Sequence, residues 1–174
     1  MASSTPTTTD PAPPPAPRQE VIDTIAAQTA AIDLLIALAR RSIRVFDVDL
    51  SDTGWNGAAR TEKLATFLRG SRHARLDIIV HDTRYIESRC PRLTGLQRLF
   101  GTAVTILRTG PDARGAMDPL VIVDGLHFLH RFHVEQPRAA LGIGLPQAAK
   151  PLVQRLDEIW AGGEPGVTSA VLGL

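Results

Sequence analysis

Residues 117–133 read MDPLVIVDGLHFLHRFH and predict a strand, a tight turn and a second strand. The first strand is a continuous run of Leu, Val and Ile, as expected when both faces of a sheet are buried. Asp124-Gly125 is a strong signal for a two-residue turn. The second strand places histidines and an arginine between aromatic residues, where a purely structural strand would carry more Val, Thr and Ile. We therefore expect a site mounted on a sheet.

Outward from this hairpin, helical and strand patterns alternate along the chain. Helices are predicted over 19–41, 58–70, 84–100 with an interruption at Pro91, and 147–161; strands are predicted over 43–49, 76–81 and 103–107, with a short edge strand in 167–174. Such alternation implies βαβ units. The predicted fold class is therefore α/β, a mostly parallel or mixed sheet flanked by helices.

The first 18 residues differ in composition from the rest of the chain. They are a tract of Ser, Thr, Pro and Ala that cannot bury enough apolar surface to order itself. We expect residues 1–18 to form a disordered tail and residues 19–174 to form one domain, which suits a chain of 174 residues.

Composition excludes several classes of protein. No apolar run has the length of a membrane span, and a single cysteine precludes an intrachain disulfide, so we expect a cytoplasmic protein. A net charge of +1 makes nonspecific nucleic-acid binding an unexpected function. Of the 19 basic residues, all but Lys63 and Lys150 are arginine. Two interpretations of this preference remain open: codon bias, or recognition of phosphate or carboxylate groups by arginine.

The hairpin histidines do not predict a metal site. On a regular strand His127, Arg131 and His133 share one face and His130 lies on the other, so the three rings cannot converge on one ion. His81, at the carboxyl end of a predicted strand with Asp82 beside it, suits either an acid–base group or a helix cap.

Two further groups leave alternatives open. Asp47, Asp49 and Asp52 form an acidic cluster that suits a divalent metal or a turn. Cys90 stands near basic residues that would lower its pKa, or it is a small apolar helix residue. No metal or cofactor is expected.

The order of elements and the hairpin resemble one repeat of the phospholipase D superfamily. There the segment before the turn reads H-x-K-x-x-x-x-D-G, and Asp124-Gly125 matches its end. Met117 then stands at the position of the nucleophilic histidine and Pro119 at that of the phosphate-binding lysine. Methionine forms no phosphohistidine-type intermediate and proline carries no charge. The resemblance therefore implies the fold with a degenerate catalytic motif.

The chain resembles more closely a family of uncharacterised bacterial phospholipase-D-like domains, sometimes found after an N-acetyltransferase domain. The resemblance runs from about Arg41 to Leu174. It rests on the segments IRVFD at 43–47, RL at 75–76 with HDT at 81–83, CPRL at 90–93, HRFH at 130–133 with QPR at 136–138, and the ending LGL. It implies a fold, and an N-acetyltransferase as a partner, but no known reaction.

The expected function is a non-catalytic anion-binding, regulatory or interaction module. Its pocket is predicted beside the Asp124 turn, near the ends of the parallel strands, with His81, Arg114, Arg131 and His133 as donors to a phosphate, nucleotide or carboxylate. The alternative is a phosphodiesterase or nuclease with a remodelled site, in which His81 or His133 is nucleophile or base. A third interpretation is an interaction domain that serves an acyltransferase.

Two expectations accompany these hypotheses. Single-repeat superfamily members build a site by dimerisation, so a homodimer is expected under both main hypotheses. Asp124 and Gly125 are interpreted as structural. The carboxylate of Asp124 accepts backbone N–H groups of the turn, and Gly125 supplies the positive φ that the turn requires.

Overall fold

The computed structural model describes residues 12–168, which form an eight-stranded sheet with helices on both faces. The strands are β1 (Arg18–Ile22), β2 (Ser42–Asp47), β3 (Arg75–Val80), β4 (Val104–Arg108), β5 (Leu120–Val123), β6 (His127–Arg131), β7 (Ala139–Ile143) and β8 (Glu164–Pro165). The helices are α1 (Ile25–Leu38), α2 (Ala58–Gly70), α3 (Arg84–Arg89), α4 (Pro91–Phe100) and α5 (Pro146–Ala161).

The sheet is mixed, in the order β1-β7-β6-β5-β2-β3-β4-β8. Strands β2, β3 and β4 are parallel, and every other pairing is antiparallel. The predicted α/β fold class with a mixed sheet is confirmed. The parallel part is confined to three strands because β5, β6 and β7 follow one another through short connections, and short connections join antiparallel strands.

Two hydrophobic cores lie on the two faces of the sheet. Helices α1, α2, α3 and α4 pack on one face, which we call the α1 face, against side chains such as Val45 and Ile78. Helix α5 packs on the other, the α5 face, against Phe46 and Ile79. Side chains alternate between faces along a strand, so adjacent residues of β2 and β3 enter different cores. This alternation assigns each polar residue beyond the strand ends to one face.

Residues 19–22 are a strand where the sequence pattern predicted the start of a helix. Strand β1 pairs antiparallel with β7, with Val21 opposite Ala140. Helix α1 begins only after Thr24, whose hydroxyl accepts a hydrogen bond from the backbone N–H of Ala27 at 3.1 Å. Val21 and Ile22 fit a helical stripe equally well, but the free edge of β7 offers their backbone groups partners. The prediction of a helix over 19–41 was therefore wrong at its beginning.

The direction of β5 separates two places that the sequence analysis put together. Because β5 runs antiparallel to β2, Val123 lies opposite Ile43 and Leu120 opposite Phe46. The Asp124 turn therefore lies at the edge where β2, β3 and β4 begin, which we call the N-terminal edge. The ends of these strands lie at the opposite, C-terminal edge. The prediction of one pocket beside both was wrong.

The predicted edge strand in 167–174 lies largely outside the described residues. Shortly before it, β8 forms an edge strand that pairs with β4. Across residues 12–168, every helix is too short or too polar to cross a bilayer.

Candidate functional site

A buried polar cluster lies at the C-terminal edge on the α1 face, around the end of β2. Asp47 and Arg131 are 8% and 6% exposed, and Gln28 on α1 is 1% exposed. Together with Pro119 and Trp55 these side chains line a cavity of about 20 Å³. A cavity of that volume holds about one water molecule. This cavity is therefore too small for a ligand larger than water.

Arg131 is held by internal partners. Its Nε donates to the carbonyl oxygen of Gln136 at 2.7 Å, its Nη1 to a carboxylate oxygen of Asp52 at 2.9 Å, and its Nη2 to the carbonyl oxygen of Val134. A guanidinium has five N–H groups, and three of them are used here. Arg131 therefore joins the 132–138 loop to the loop after β2, and it is not presented to solvent as a ligand donor.

Asp47 has an unusual protonation equilibrium. Burial raises its pKa to about 7, against the lowering effect of a hydrogen bond from the backbone N–H of Val48 at 2.6 Å. The neighbouring carboxylates Asp49 and Asp52 raise the pKa further, and Arg131 lowers it. A carboxyl group of this kind changes charge near neutral pH.

His81 lies at the same edge but on the other face of the sheet. Its Nε2 lies 2.6 Å from the carbonyl oxygen of Ala116, and its Nδ1 lies 2.6 Å from the hydroxyl of Thr109, which is fully buried. The ring also meets Phe46 edge-on, with centroids 5.3 Å apart. Because a carbonyl oxygen only accepts, Nε2 donates to it. Both ring nitrogens are thus engaged in joining the 109–116 loop to β3.

An ion-pair network follows on the α5 face. Asp118 accepts from His130 Nε2 at 3.0 Å and from Arg155 Nε at 2.8 Å, with a second bond from Arg155 Nη2. Burial alone would raise the pKa of Asp118, but the hydrogen bonds from Arg155 and His130 outweigh it and hold the pKa below its ordinary value. Asp118 therefore stays ionised and links β6 to α5.

An open groove of about 680 Å³ lies beside this network. It runs between the 110–116 loop and the end of α5, with Arg155, Glu158 and Asp112 among its lining residues. Gly110 lets the loop approach α5 closely, since a Cβ there would overlap the carbonyl of Gly162. The groove has the volume of a small-molecule site.

The four predicted ligand donors do not form one cluster. Arg131 lies on the α1 face and His81 on the α5 face, both bound internally. His133, whose side chain is 44% exposed, accepts at Nδ1 from the backbone N–H of Glu135 at 3.2 Å. Arg114 is exposed on the loop that borders the groove. Of the four, only His133 and Arg114 present polar groups to solvent.

The Asp124-Gly125 turn has the backbone geometry expected of it, with φ of 54° and 72°. The partners of the Asp124 carboxylate differ from those expected. It accepts from the backbone N–H groups of Arg40, Arg41 and Ser42, each at 2.8 Å. Asp124 therefore ties the β5–β6 turn to the α1–β2 connection.

The other candidates have local partners. Asp49 accepts from the N–H of Ser51 at 2.9 Å and Asp52 binds Arg131, and within residues 12–168 no three His, Cys, Asp or Glu side chains gather closely enough to hold a metal ion. Cys90 is fully buried, and burial raises its pKa, so the reactive interpretation was wrong. His127, on the α1 face with Arg131 as predicted, accepts from the N–H of Gly144 at 2.9 Å.

Asp118 and Arg155 were missed by sequence reasoning. An acidic residue two positions before a buried strand was a signal for an internal ion pair, since a carboxylate there needs a partner. The identity of the partner depended on where α5 packs, and no local pattern specifies that.

Comparison with known proteins places the fold. A family model described as "Domain of unknown function (DUF7931)" matches residues 24–168. No curated protein matches the chain in sequence at a significant level. The phospholipase D family member Nuc from Salmonella typhimurium is similar in structure, with a TM-score of 0.58 and 14% identity over 86% of this chain and 97% of Nuc.

Two further structures are similar. NucT from Helicobacter pylori has a TM-score of 0.54 and 11% identity, over 86% of this chain and 99% of NucT. The archaeal chromatin protein TrmBL2, described with a novel mode of DNA binding, has a TM-score of 0.62 and 11% identity; the match covers 84% of this chain but about half, 53%, of TrmBL2. At these identities the comparisons establish the phospholipase-D-like fold alone.

Proposed function

Since the chain belongs to the DUF7931 family and has the fold of phospholipase D proteins, we propose that it is a non-catalytic domain that serves as an anion-binding or interaction module. The observation that carries this proposal is the closed cavity on the α1 face. Pro119, at the position of the superfamily's lysine, lines it, and its volume of about 20 Å³ leaves no room for a phosphodiester.

The residues around that cavity support the same conclusion. Met117 and Pro119 offer neither a nucleophile nor a charge to a phosphoryl group. Arg131, the buried cation nearby, already binds Asp52 and two carbonyl oxygens. Opening a site here would leave these groups unpaired, which costs free energy. A remodelled catalytic centre on this face therefore requires the loops after β2 and β6 to move apart.

The binding part of the proposal rests on the open groove of the α5 face. Arg155 lines about 680 Å³ of open volume together with Asp112 and Glu158. Arg114 is exposed on the loop that borders the groove, and we propose that its guanidinium reaches a ligand there. Arg155 keeps its Nη1 group beyond its two bonds to Asp118. Guanidinium groups bind phosphate and carboxylate in bidentate fashion, so a small ligand of that class is the proposed occupant.

The first experiment tests for turnover. The purified full chain is incubated with bis-p-nitrophenyl phosphate and with single-stranded DNA, separately with Mg²⁺, Mn²⁺, Ca²⁺ and Zn²⁺, beside a phospholipase D family nuclease as positive control. We expect no hydrolysis above buffer. Turnover that disappears in His81→Ala or in His133→Ala, while the variant keeps its melting temperature, would overturn the non-catalytic proposal in favour of a phosphodiesterase.

The second experiment tests the groove. Thermal-shift and calorimetric titrations use inorganic phosphate, nucleotides and short dicarboxylates, with Arg114→Gln as the test variant and the exposed Arg89→Gln, at the far end of α3, as the matched control. We expect a stabilising shift in the wild type and the control, and its loss in Arg114→Gln. Arg131→Ala is unsuitable as a test because it removes three internal hydrogen bonds. Identical titrations for all three proteins would contradict a ligand in this groove.

Two partners belong to the same proposal. A second copy of the chain is expected to associate through the exposed Met117 and Phe132, which are 37% and 47% exposed. An N-acetyltransferase is the other expected partner. Light scattering coupled to gel filtration measures whether two copies of the chain associate. A monomer at every concentration would contradict the proposed homodimer.

A further inference from the structure

The arginine residues are unevenly distributed over the fold, although the net charge is only +1. Five exposed arginines lie at the start of β3 or in the residues that precede β2 and β3, on the N-terminal edge. We call them the arginine cluster: Arg40, Arg41, Arg69, Arg72 and Arg75. They come from two short segments, 40–41 and 69–75, that precede adjacent parallel strands.

The two segments are in direct contact. Ser42 pairs with Arg75 in the parallel ladder, and the backbone N–H of Arg75 donates to the carbonyl oxygen of Arg41 at 3.0 Å. The side chain of Arg75 donates through Nη1 to the carbonyl oxygen of Arg72 at 3.1 Å. Arg72 Nε contacts His73 Nε2 at 3.1 Å. Arg75 Nη1 also donates to the carbonyl oxygen of Ala74 at 2.8 Å, and Arg69 lies over the Phe100 ring, 5.9 Å from its centroid. The two segments therefore meet at one edge of the sheet and carry five exposed guanidinium groups there.

Ion pairing is more extensive among the arginines of the opposite edge, where Arg114 is an exposed exception. At the C-terminal edge Arg84, Arg108 and Arg131 each lie within 4.0 Å of a carboxylate oxygen. Among the ion pairs formed within the described part of the chain, none includes a member of the arginine cluster. The positive charge of this edge is therefore not neutralised by the fold.

The acidic residues nearest to the cluster do not cancel it. Asp124 accepts three backbone N–H bonds on its two oxygens, and it contributes one negative charge to this edge. Glu62 lies on the exposed side of α2. Asp77, two residues after Arg75 in β3, interacts electrostatically with it, so three carboxylates stand against five guanidinium groups. Cations here also complement the carbonyl ends of α1 and α2, a structural role that a stability measurement registers.

We propose that the arginine cluster binds the phosphate backbone of double-stranded nucleic acid without reading its sequence. Closely spaced, unpaired guanidinium groups are the electrostatic footprint of such binding. Single strands are usually held by aromatic side chains that stack on bases, and Phe132, the exposed aromatic among the large apolar residues of 12–168, lies at the opposite edge. Membrane attachment requires a broad apolar face, and Leu99 is the exposed large apolar residue on neighbouring α4.

This surface is separate from the site of the proposed function. The groove and the closed cavity lie at the C-terminal edge, and the arginine cluster lies at the N-terminal edge. The near-neutral net charge made nucleic acid an unexpected partner. Net charge is an average over the whole chain, whereas a polyanion responds to the local charge. A failure of one proposal therefore leaves the other standing.

The test is a fluorescence-anisotropy titration of a labelled duplex DNA of about 20 base pairs, repeated at several salt concentrations. We expect saturable binding whose logarithm of affinity falls with the logarithm of salt concentration, with a slope of roughly −4.5 for five phosphate contacts. Arg41→Glu/Arg72→Glu should weaken binding by more than about tenfold, because two contacts become repulsive. The charge-matched control, Arg89→Glu/Arg138→Glu, changes two exposed arginines away from the cluster and should stay within about twofold.

Thermal melts accompany each titration, and Arg41→Gln/Arg72→Gln replaces the charge-reversal variant if the latter does not fold. An equal loss of affinity in test and control variants would overturn the assignment of the surface. Absence of duplex binding at low salt would overturn the proposal altogether. So would binding to vesicles of phosphatidylcholine and phosphatidylglycerol without binding to duplex, which would make an anionic membrane the partner.

Discussion

Asp124 has a structural role at the residue scale that is larger than its turn suggests. Both carboxylate oxygens are used, one for Arg41 and Ser42 and the other for Arg40, all at 2.8 Å. An asparagine would retain one oxygen and turn an N–H group toward a backbone donor. Hydrogen bonds to a charged acceptor contribute more than neutral ones.

We therefore expect Asp124→Asn to lower the free energy of unfolding by about 1–2 kcal/mol, even though asparagine tolerates the positive φ. Urea denaturation measures this, with the exposed Asp112→Asn as control. A stability equal to the wild type would mean that the three backbone donors find water instead. The carboxylate would then contribute no more than its amide replacement does.

Asp47 makes stability depend on pH. Its pKa is raised by burial to about 7 in the folded protein, against an ordinary value of 3.8. Between these values the folded state binds a proton that the unfolded state has released, so stability decreases as pH rises from about 4 to 7 and then levels off. Above pH 7 the Asp47 carboxyl is ionised although it is buried, and this burial of a charge lowers the stability of the fold.

Asp47→Asn should therefore stabilise the protein at pH 8, since its amide oxygen keeps the bond from Val48. The advantage over the wild type should shrink by about 1.4 kcal/mol per pH unit between pH 7 and 5. Urea denaturation of both proteins at pH 5, 6, 7 and 8 gives the comparison. A difference in stability that stays constant with pH would refute the raised pKa.

At the scale of elements, the packing of β6 against β7 depends on a glycine in β7, Gly142, that has no side chain. Gly142 lies opposite Phe128, and a Cβ at position 142 would overlap the Phe128 ring. Gly142→Ala should therefore destabilise the fold by about 1–3 kcal/mol through overpacking. Phe128→Leu in the same chain should recover part of the loss.

A double-mutant cycle of these two positions measures the coupling free energy. The control is Gly95→Ala on α4, where an added Cβ meets no atom within 4 Å. This change should be neutral or stabilising by up to about 1 kcal/mol, because alanine favours a helix. Additive effects of Gly142→Ala and Phe128→Leu would show that the ring does not occupy the space above Gly142.

At the scale of the whole molecule, β1 closes one edge of the sheet. It forms five residue pairs with β7, and residues 15 and 17 lie close enough to Gly144 that an added Cβ there would contact both. Residues 1–11 have the Ser/Thr/Pro composition of a tail. A chain that begins at residue 12 should therefore melt at the wild-type temperature.

A chain that begins at residue 24 lacks β1 and exposes the edge of β7. We expect it to lose about 2 kcal/mol and to melt roughly 4–8 °C lower. Exposed edges also promote association, so it should aggregate at lower concentration. Calorimetry and light scattering measure the two effects. Equal melting temperatures of both truncated chains would place the beginning of the domain after β1. A lower melting temperature for the chain that begins at residue 12 would place the beginning of the domain before that residue.

Much of the architecture follows from local patterns. Periodicity and end signals locate α2 and the break between α3 and α4 at Pro91, and the run around Asp124-Gly125 locates the β5–β6 hairpin. The alternation of β6 also assigns His130 and Arg131 to opposite faces. These features depend on interactions between residues that are close in the chain, so the sequence alone determines them.

The partners of these elements were decided by tertiary structure. The free edge of β7 made residues 18–22 a strand, and antiparallel pairing with β2 moved the Asp124 turn away from His81. The engagement of Arg131 by Asp52, 79 residues away, and the gathering of two arginine segments on one edge arise in the same way. Each depends on which distant segments meet, and that choice minimises the free energy of the whole chain, which no short stretch encodes.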